Sequence, residues 1–415
     1  MRGLAEMAAA HLFDLSELHF GLGAGPPTGI NRVGLAYLAA LQASSVPLYG
    51  LVHYRWGAAL LDRVGVEAYA ERILGDIRFE SAGRVARFVN RLALPQAASL
   101  AFLWSRAIAW GPVSLLGRKL ERHLPRGTTW ISTSIGNLDT DLFKALRQVP
   151  NMRIAAMIHD TIPLDYPEFV PAGGKDWFAR RLLAVSAHVD LAIYNSAFSQ
   201  RRAEHHMNEM QRVPPCVTAH LGVDNLHVDM TLLPAGLDFR RPTFVVLGTI
   251  EPRKNHALLL DLWDGFAEAR AAGDPRPIPQ LLIIGRRGWR NEGVFQRLDA
   301  SPLRGQDVHE LADLPDGGVA AALTKARALL FPSYVEGFGL PTLEAAMLSC
   351  PVIANDLPVY REFLAELPTY ASIDDPARWA ALIRAAAANP APPRPAPPSS
   401  PPTWAKHFAK VLPRL

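Results

Sequence analysis

Residues 331–344 read FPSYVEGFGLPTLE. Leu329 to Phe331 has the character of a short buried strand. A loop carrying Glu336, Gly337 and Gly339 follows, and Pro341 stands where a helix would begin, a position proline tolerates. A glycine loop that feeds a helix N-terminus offers free backbone N–H groups and a partial positive charge, which together make an anion site. Open α/β sheets bind ligands at the carboxyl ends of their strands, where this loop lies. Glu336 and Glu344 are eight residues apart and can both face one bound molecule. Carboxylates accept hydrogen bonds from hydroxyls and repel phosphate, so the pattern implies a phosphate joined to a sugar.

The same arrangement recurs upstream. Phe244 to Leu247 is an apolar run, followed by GTIEPRKN at Gly248 to Asn255 and a helical pattern from about Asn255 to Ala271. Arg253 and Lys254 thereby reach the same sheet edge, where two cations would neutralise a diphosphate. Further strands are expected at Leu281–Ile284, Leu329–Phe331 and Val352–Ala354, with helices at Val319–Ala328, Pro341–Leu348 and Pro376–Ala388. Short apolar runs alternating with longer amphipathic ones mark βαβ units on a parallel sheet. The first half repeats the rhythm, with strands expected at Trp130–Ser134, Ile154–Ile158, Leu191–Tyr194 and Val217–Leu221. Helices are expected there at Asp139–Arg147, Trp177–His188 and Ala197–Asn208. HLFDLSELHF near the start reads as a poor buried strand, and Tyr49 to Pro125 as an insertion rich in helix.

These patterns predict an α/β chain of two Rossmann-like domains, residues 1–235 and 242–388. A proline-rich linker at 389–402 holds eight of the 35 prolines, and a tail helix at 403–415 carries Trp404, Phe408 and Val411 on one stripe. The length of 415 residues suits two or three domains. Hydrophobic residues make up 49% and charged residues 20%, which argues against wholesale disorder. The net charge of +4 is too small to point to nucleic acid. Two distant cysteines, Cys216 and Cys350, exclude a disulfide framework and suit a reducing compartment. The first twenty residues carry Glu6, His11, Asp14 and Glu17, so a secretory leader is not expected. No uncharged apolar stretch reaches membrane-spanning length. From Arg84 to Arg126 there are eight basic residues and one acid, interleaved with Trp104, Trp110 and leucines. That stretch reads either as contact with an anionic bilayer or as a helical hairpin packed on the core with basic outer faces.

GTIEPRKN, LLIIGRRGW, ALLFPSYVEGFGLPTLEAA and PVIANDLPVYRE occur in this order and resemble glycosyltransferase family 4, retaining enzymes of the GT-B fold. The likeness covers about Thr243 to Ala388, plus TGINR at Thr28–Arg32 and HDTIP at His159–Pro163. It implies that Arg253 and Lys254 bind the donor diphosphate and that Glu336 contacts the donor sugar. The backbone of Gly337, Phe338, Gly339 and Leu340 would touch sugar and phosphate, and Glu344 the ribose. Gly29, Gly248 and Thr249 would lie at the donor, and Leu314 beside the nucleobase. Many family members have arginine where this chain has Thr249. The resemblance further implies a nucleotide hexose donor, GDP-mannose by analogy, and a saccharide or lipid-linked saccharide acceptor. Surface polysaccharide synthesis at the inner face of the plasma membrane, without metal or cofactor, completes the expectation. The catalytic group would be His159, Asp160 and Glu336. Another GT-B enzyme, such as an epimerase or phosphorylase, and a non-catalytic saccharide binder are the alternatives.

Three local readings stay open on the residues alone. Asp160 or Thr161 can cap a helix before Pro163, or the His159–Asp160 pair can face a cleft. Asp139 and Asp141 can hold a metal or begin a helix; a cap suits them better. Gly21, Gly23 and Gly25 have the wrong spacing for a dinucleotide fingerprint. The direction of Arg32 is open between cleft and solvent.

Overall fold

The computed structural model describes residues 8–23, 28–54, 57–75, 77–79, 94–210, 212–223, 226–388 and 393–415. Glu6, Gly25 and Arg84, named above, lie outside them, as does part of the 389–402 linker.

The first sheet has eight strands: β1 Ala10–Asp14, β2 Leu48–Tyr54, β3 Gly57–Leu61, β4 Ala109–Gly111, β5 Thr128–Ser132, β6 Arg153–Ile158, β7 Leu191–Tyr194 and β8 Cys216–Thr218. Their order is β4-β3-β2-β1-β5-β6-β7-β8. The strands are parallel except at the β2–β3 and β3–β4 pairs. The second sheet is wholly parallel and has six strands, β9 Thr243–Leu247, β10 Gln280–Ile284, β11 Val308–Leu311, β12 Ala328–Phe331, β13 Val352–Ala354 and β14 Thr369–Tyr370. It runs β11-β10-β9-β12-β13-β14. Every residue of β10 and β12 is buried, as helices on both faces require of parallel strands.

Two expectations are corrected. HLFD lies in a fully buried central strand, β1, between β2 and β5. Its Asp14 end is satisfied within the core, whereas His11 Nδ1 is buried without a hydrogen-bond partner. Asp14 accepts from Ser16 N at 3.0 Å and from Ser132 Oγ at 2.9 Å, and His53 lies 3.4 Å away. Burial pushes the His11 imidazole down to about 4, so it sits there uncharged. The stretch Tyr49–Pro125 is rich in helix as expected, but it is part of the sheet and not a separate insertion. It supplies β2, β3 and β4, which extend the sheet edge, and the helices Arg63–Leu74, Leu94–Arg106 and Leu116–His123.

The tail crosses back onto the first sheet. Helix Trp404–Val411 is capped by Thr403. Tyr37 Oη and His407 Nε2 are 2.8 Å apart, and Tyr37 meets Phe408 edge-on at 5.1 Å. The carbonyl of Leu415 accepts from Thr129 Oγ1 at 3.0 Å and Arg153 Nη1 at 2.6 Å. One apolar cluster runs from Phe13 and Ile131 to Phe338, Leu343 and Ala346 of the second half and Val411 of the tail. The halves therefore share a core at their junction.

Candidate functional site

The chain builds β9, β10 and β11 outward in one direction, then returns to place β12, β13 and β14 on the other side of β9. The loops after β9 and β12 leave the sheet side by side in opposite directions, which opens a crevice at the carboxyl edge. GTIEPRKN and PSYVEGFG are those two loops.

Glu336 is gripped from the first loop by two cations. Arg253 Nη1 donates to its Oε2 at 2.6 Å, and Lys254 Nζ to its Oε1 at 2.6 Å. Arg253 also holds Glu251 at 2.8 Å, and Lys254 Nζ stands 4.4 Å from the Phe331 ring centre. Burial alone would push the Glu336 carboxyl up, but Arg253 and Lys254 outweigh it and hold the group down to about 2. Burial lowers the Lys254 ammonium despite Glu336, and raises Glu251 despite Arg253. Glu336 is thus a fixed anion and an acceptor for hydroxyls, with no capacity to act as a base near neutrality.

The 337–340 loop reaches the first domain. The Gly337 carbonyl accepts from Ser196 Oγ and Ser199 Oγ, each at 3.0 Å. A Cβ on Gly337 would stand 2.5 Å from the His159 carbonyl oxygen and 2.8 Å from Asp160 Cβ. Gly339 has φ +101°, and a Cβ there would meet the Tyr360 ring at 2.6 Å. Leu340 opens the helix Leu340–Met347. The Phe338 side chain turns away and stacks on Phe363 at 4.4 Å, so only its backbone faces the crevice loop.

His159 and Asp160 follow β6 and lie against this loop. His159 Nε2 is 2.7 Å from the Thr133 carbonyl; a carbonyl only accepts, so Nε2 carries the proton and Nδ1 is an acceptor. Burial lowers the imidazole's affinity for protons despite Asp160 nearby, so the ring is neutral. Asp160 accepts from Ile162 N at 3.0 Å, an Asx turn just ahead of Thr161, which stands at the helix N-cap without a side-chain bond. It also lies within electrostatic range of Arg253 and Glu336, and burial pushes its carboxyl up against the pull of Arg253.

Across the crevice Arg32 faces Glu344. Arg32 Nη1 donates to Glu344 Oε1 and Nη2 to Asp316 Oδ1, both at 2.5 Å. Burial raises the Glu344 carboxyl, opposed by Arg32. Gly29 begins helix Gly29–Ala43, and its missing Cβ would stand 3.9 Å from Leu340 Cδ1. Gly248 has φ +131° and lets the Lys254 chain pass close by. Glu336, Arg253, Lys254, His159, Asp160 and the 337–340 backbone therefore converge, with Gly29, Arg32 and Glu344 on the adjoining rim. Two expected residues stand apart. Thr249 presses its methyl toward Gly288, 2.6 Å from where a Cβ would be, and Leu314 is buried in the core of the second domain. Ser196, Ser199, Asp316 and Glu251 were not singled out from sequence; Glu251 stood within GTIEPRKN, while the serines and Asp316 carry no local signal.

The first sheet has its own reversal between β1 and β5. A cavity of about 580 Å³ opens there, lined by His19, Phe20 and Tyr54 on one side and Asn137, Asp139 and Arg181 on the other. Asp139 caps helix Thr140–Leu146 through Leu142 N at 2.9 Å. Thr133, the partner of His159, precedes Asn137 by four residues, which ties the cavity to the crevice. On the outer edge Leu100, Leu103 and Leu116 are buried, whereas Trp110 is 57% and Leu115 44% exposed. Arg106, Arg118 and Arg122 are exposed in the same segment. Among the described residues no helix is long and apolar enough to cross a membrane.

Residues 235–394 match the family Glycosyl transferases group 1. A serotype-specific mannosyltransferase of Escherichia coli, WbdA, is 31% identical over 262 residues, covering 58% of this chain and 31% of that protein. The match thus spans about a third of that curated relative's length. Anabaena HepE in complex with UDP and glucose superposes with a TM-score of 0.56 at 12% identity, covering 98% of this chain and 95% of that one. Sucrose-phosphate synthase of Thermosynechococcus elongatus does so with a TM-score of 0.56 at 16% identity, covering 98% and 93%. Residues 235–394 are thus similar to the group 1 glycosyl transferases, and the whole chain is built on the two-domain GT-B fold.

Proposed function

We propose that this protein is a retaining glycosyltransferase that moves a hexose, mannose, from a nucleoside diphosphate sugar to a saccharide or lipid-linked saccharide during surface polysaccharide synthesis. The observation that carries the reading is Glu336 held between Arg253 and Lys254 beside the N-terminus of helix Leu340–Met347. Glu336 fixes donor hydroxyls. Arg253, Lys254 and the 337–340 amides stabilise the leaving diphosphate, so the charge is met without a metal. Neutral His159 offers Nδ1 to a donor hydroxyl, and Asp160 lies beside it. Because Glu336 is locked as an anion, the departing phosphate oxygen itself takes the proton of the attacking hydroxyl on the same face. The relative WbdA supports mannose, and GDP-mannose is the proposed donor. HepE, solved with UDP and glucose, supports a nucleotide and a sugar in this crevice.

The cavity between β1 and β5 receives the acceptor. The exposed Trp110 and Leu115 with Arg106, Arg118 and Arg122 rest on an anionic membrane at the cytoplasmic face. Incubation of the purified protein with GDP-mannose and mannose-terminated oligosaccharides, in EDTA, tests the reaction. Transfer with retained configuration is expected, and loss of transfer in Lys254→Met and Glu336→Gln. Sugar isomerisation without an acceptor, or release of a sugar phosphate on adding inorganic phosphate, would replace transferase by epimerase or phosphorylase. Equal flotation with anionic and neutral vesicles would remove the membrane contact.

A further inference from the structure

Glu344 has one carboxylate to offer, and Arg32 already occupies it. The guanidinium bridges Glu344 and Asp316, while its Nε is buried with no acceptor. A cavity of about 290 Å³ lies against the contact, lined in part by Arg32, Glu344, Asp316, Gly317 and Leu340. The two helices that meet here are in register. Gly29 stands opposite Leu340, and Arg32 and Glu344 follow one turn later on each. Two helix N-termini, one from each domain, thus point at one place with a charged pair directly behind them.

We propose that Arg32 is a donor-binding residue: when a nucleoside diphosphate enters, ribose hydroxyls take Glu344 and the freed guanidinium turns onto the diphosphate. This rests on reading the crevice as a nucleoside diphosphate sugar site. Around it Asp160, Glu251, Glu336, Glu344 and Asp316 outnumber Arg32, Arg253 and Lys254. A ligand with two or more negative charges needs a cation able to leave its partner. Arg253 and Lys254 can face a diphosphate only while sharing their charge with Glu336, which is 7% exposed, so part of the ligand's charge is left for a further cation. Arg32 is 30% exposed and Asp316 58%, so that arm of the bridge is screened and cheap to exchange, while Glu344, 8% exposed, gives up the guanidinium only as ribose hydroxyls replace it. Its planar fork matches two phosphate oxygens as well as it matches two carboxylates.

Calorimetric titration of the full chain with GDP, UDP and ADP, and with the matching nucleosides, tests this. In Arg32→Ala the affinity for the favoured diphosphate should fall by about tenfold or more, while nucleoside affinity stays equal or rises because Glu344 is released. Arg32→Lys should recover part of the loss. Asp316→Asn should bind the diphosphate as tightly as wild type or more so. Unchanged diphosphate affinity in Arg32→Ala, an equal fall for diphosphate and nucleoside, or a matching loss in Asp316→Asn, would reduce Arg32 to a brace between domains and overturn the proposal. A wild-type chain that binds none of the diphosphates would overturn the donor-site reading as well.

Discussion

Replacing Glu336 by glutamine removes the anion that two buried cations share. An unfolded glutamate titrates near 4.5, and this one is held down to about 2. At 1.36 kcal/mol per pH unit, that gap makes the ionised form worth about 3 kcal/mol to the fold. The estimate agrees with the roughly 3–5 kcal/mol lost when one member of a buried ion pair is deleted. For a domain of this size each kcal/mol moves the midpoint by about 2–4 °C, so Glu336→Gln should melt about 6–12 °C lower at pH 7. Lys254→Met removes the complementary charge, and the double variant should cost less than the two single ones together by about 1–3 kcal/mol. The folded value lies below the unfolded one, so the stabilisation is complete above about pH 4.5 and fades as pH falls toward 2. Urea unfolding of the four proteins, followed by circular dichroism between pH 7 and 3, measures both effects. Additivity within about 0.5 kcal/mol, or a gap between wild type and Glu336→Gln that does not begin to narrow below pH 4.5, would refute the reasoning.

Gly337→Ala places a methyl 2.5 Å from the His159 carbonyl, so the loop must retreat; nucleotide affinity should drop with the melting temperature nearly unchanged, which calorimetry and thermal unfolding distinguish. His407→Ala deletes the buried bond to Tyr37 Oη and should cost about 1–3 kcal/mol, with limited proteolysis then cutting within residues 393–403 faster than in wild type. Trp110→Glu should abolish flotation with anionic vesicles and leave transfer to a water-soluble acceptor intact, measured by sedimentation and product assay.

The second half was legible because the central strands of a parallel sheet are buried on both faces. TFVVL, QLLII and ALLF therefore stand out as apolar runs, each closed by a glycine or a loop. β1 was hidden because His11 and Asp14 look like surface residues, Asp14 until its partners are known. Those partners, His53 and Ser132, lie 39 and 118 residues beyond Asp14, and no local pattern announces them. Arg32 was ambiguous for the same reason: its direction is decided by Glu344, 312 residues away. Phe338 sat in the motif but spends its ring on Phe363, so the motif marks a path of backbone and not a set of side chains. Asp160 shows that one carboxylate can accept from the first N–H of a helix and still charge a crevice, which sequence reasoning treats as rivals.

The returning tail means that the chain passes between the two lobes twice, once after β8 and again ahead of the tail helix Trp404–Val411. A single tether would let the lobes swivel freely. Two tethers, together with the core the lobes share around Phe13, Phe338 and Val411, narrow the relative orientations open to them.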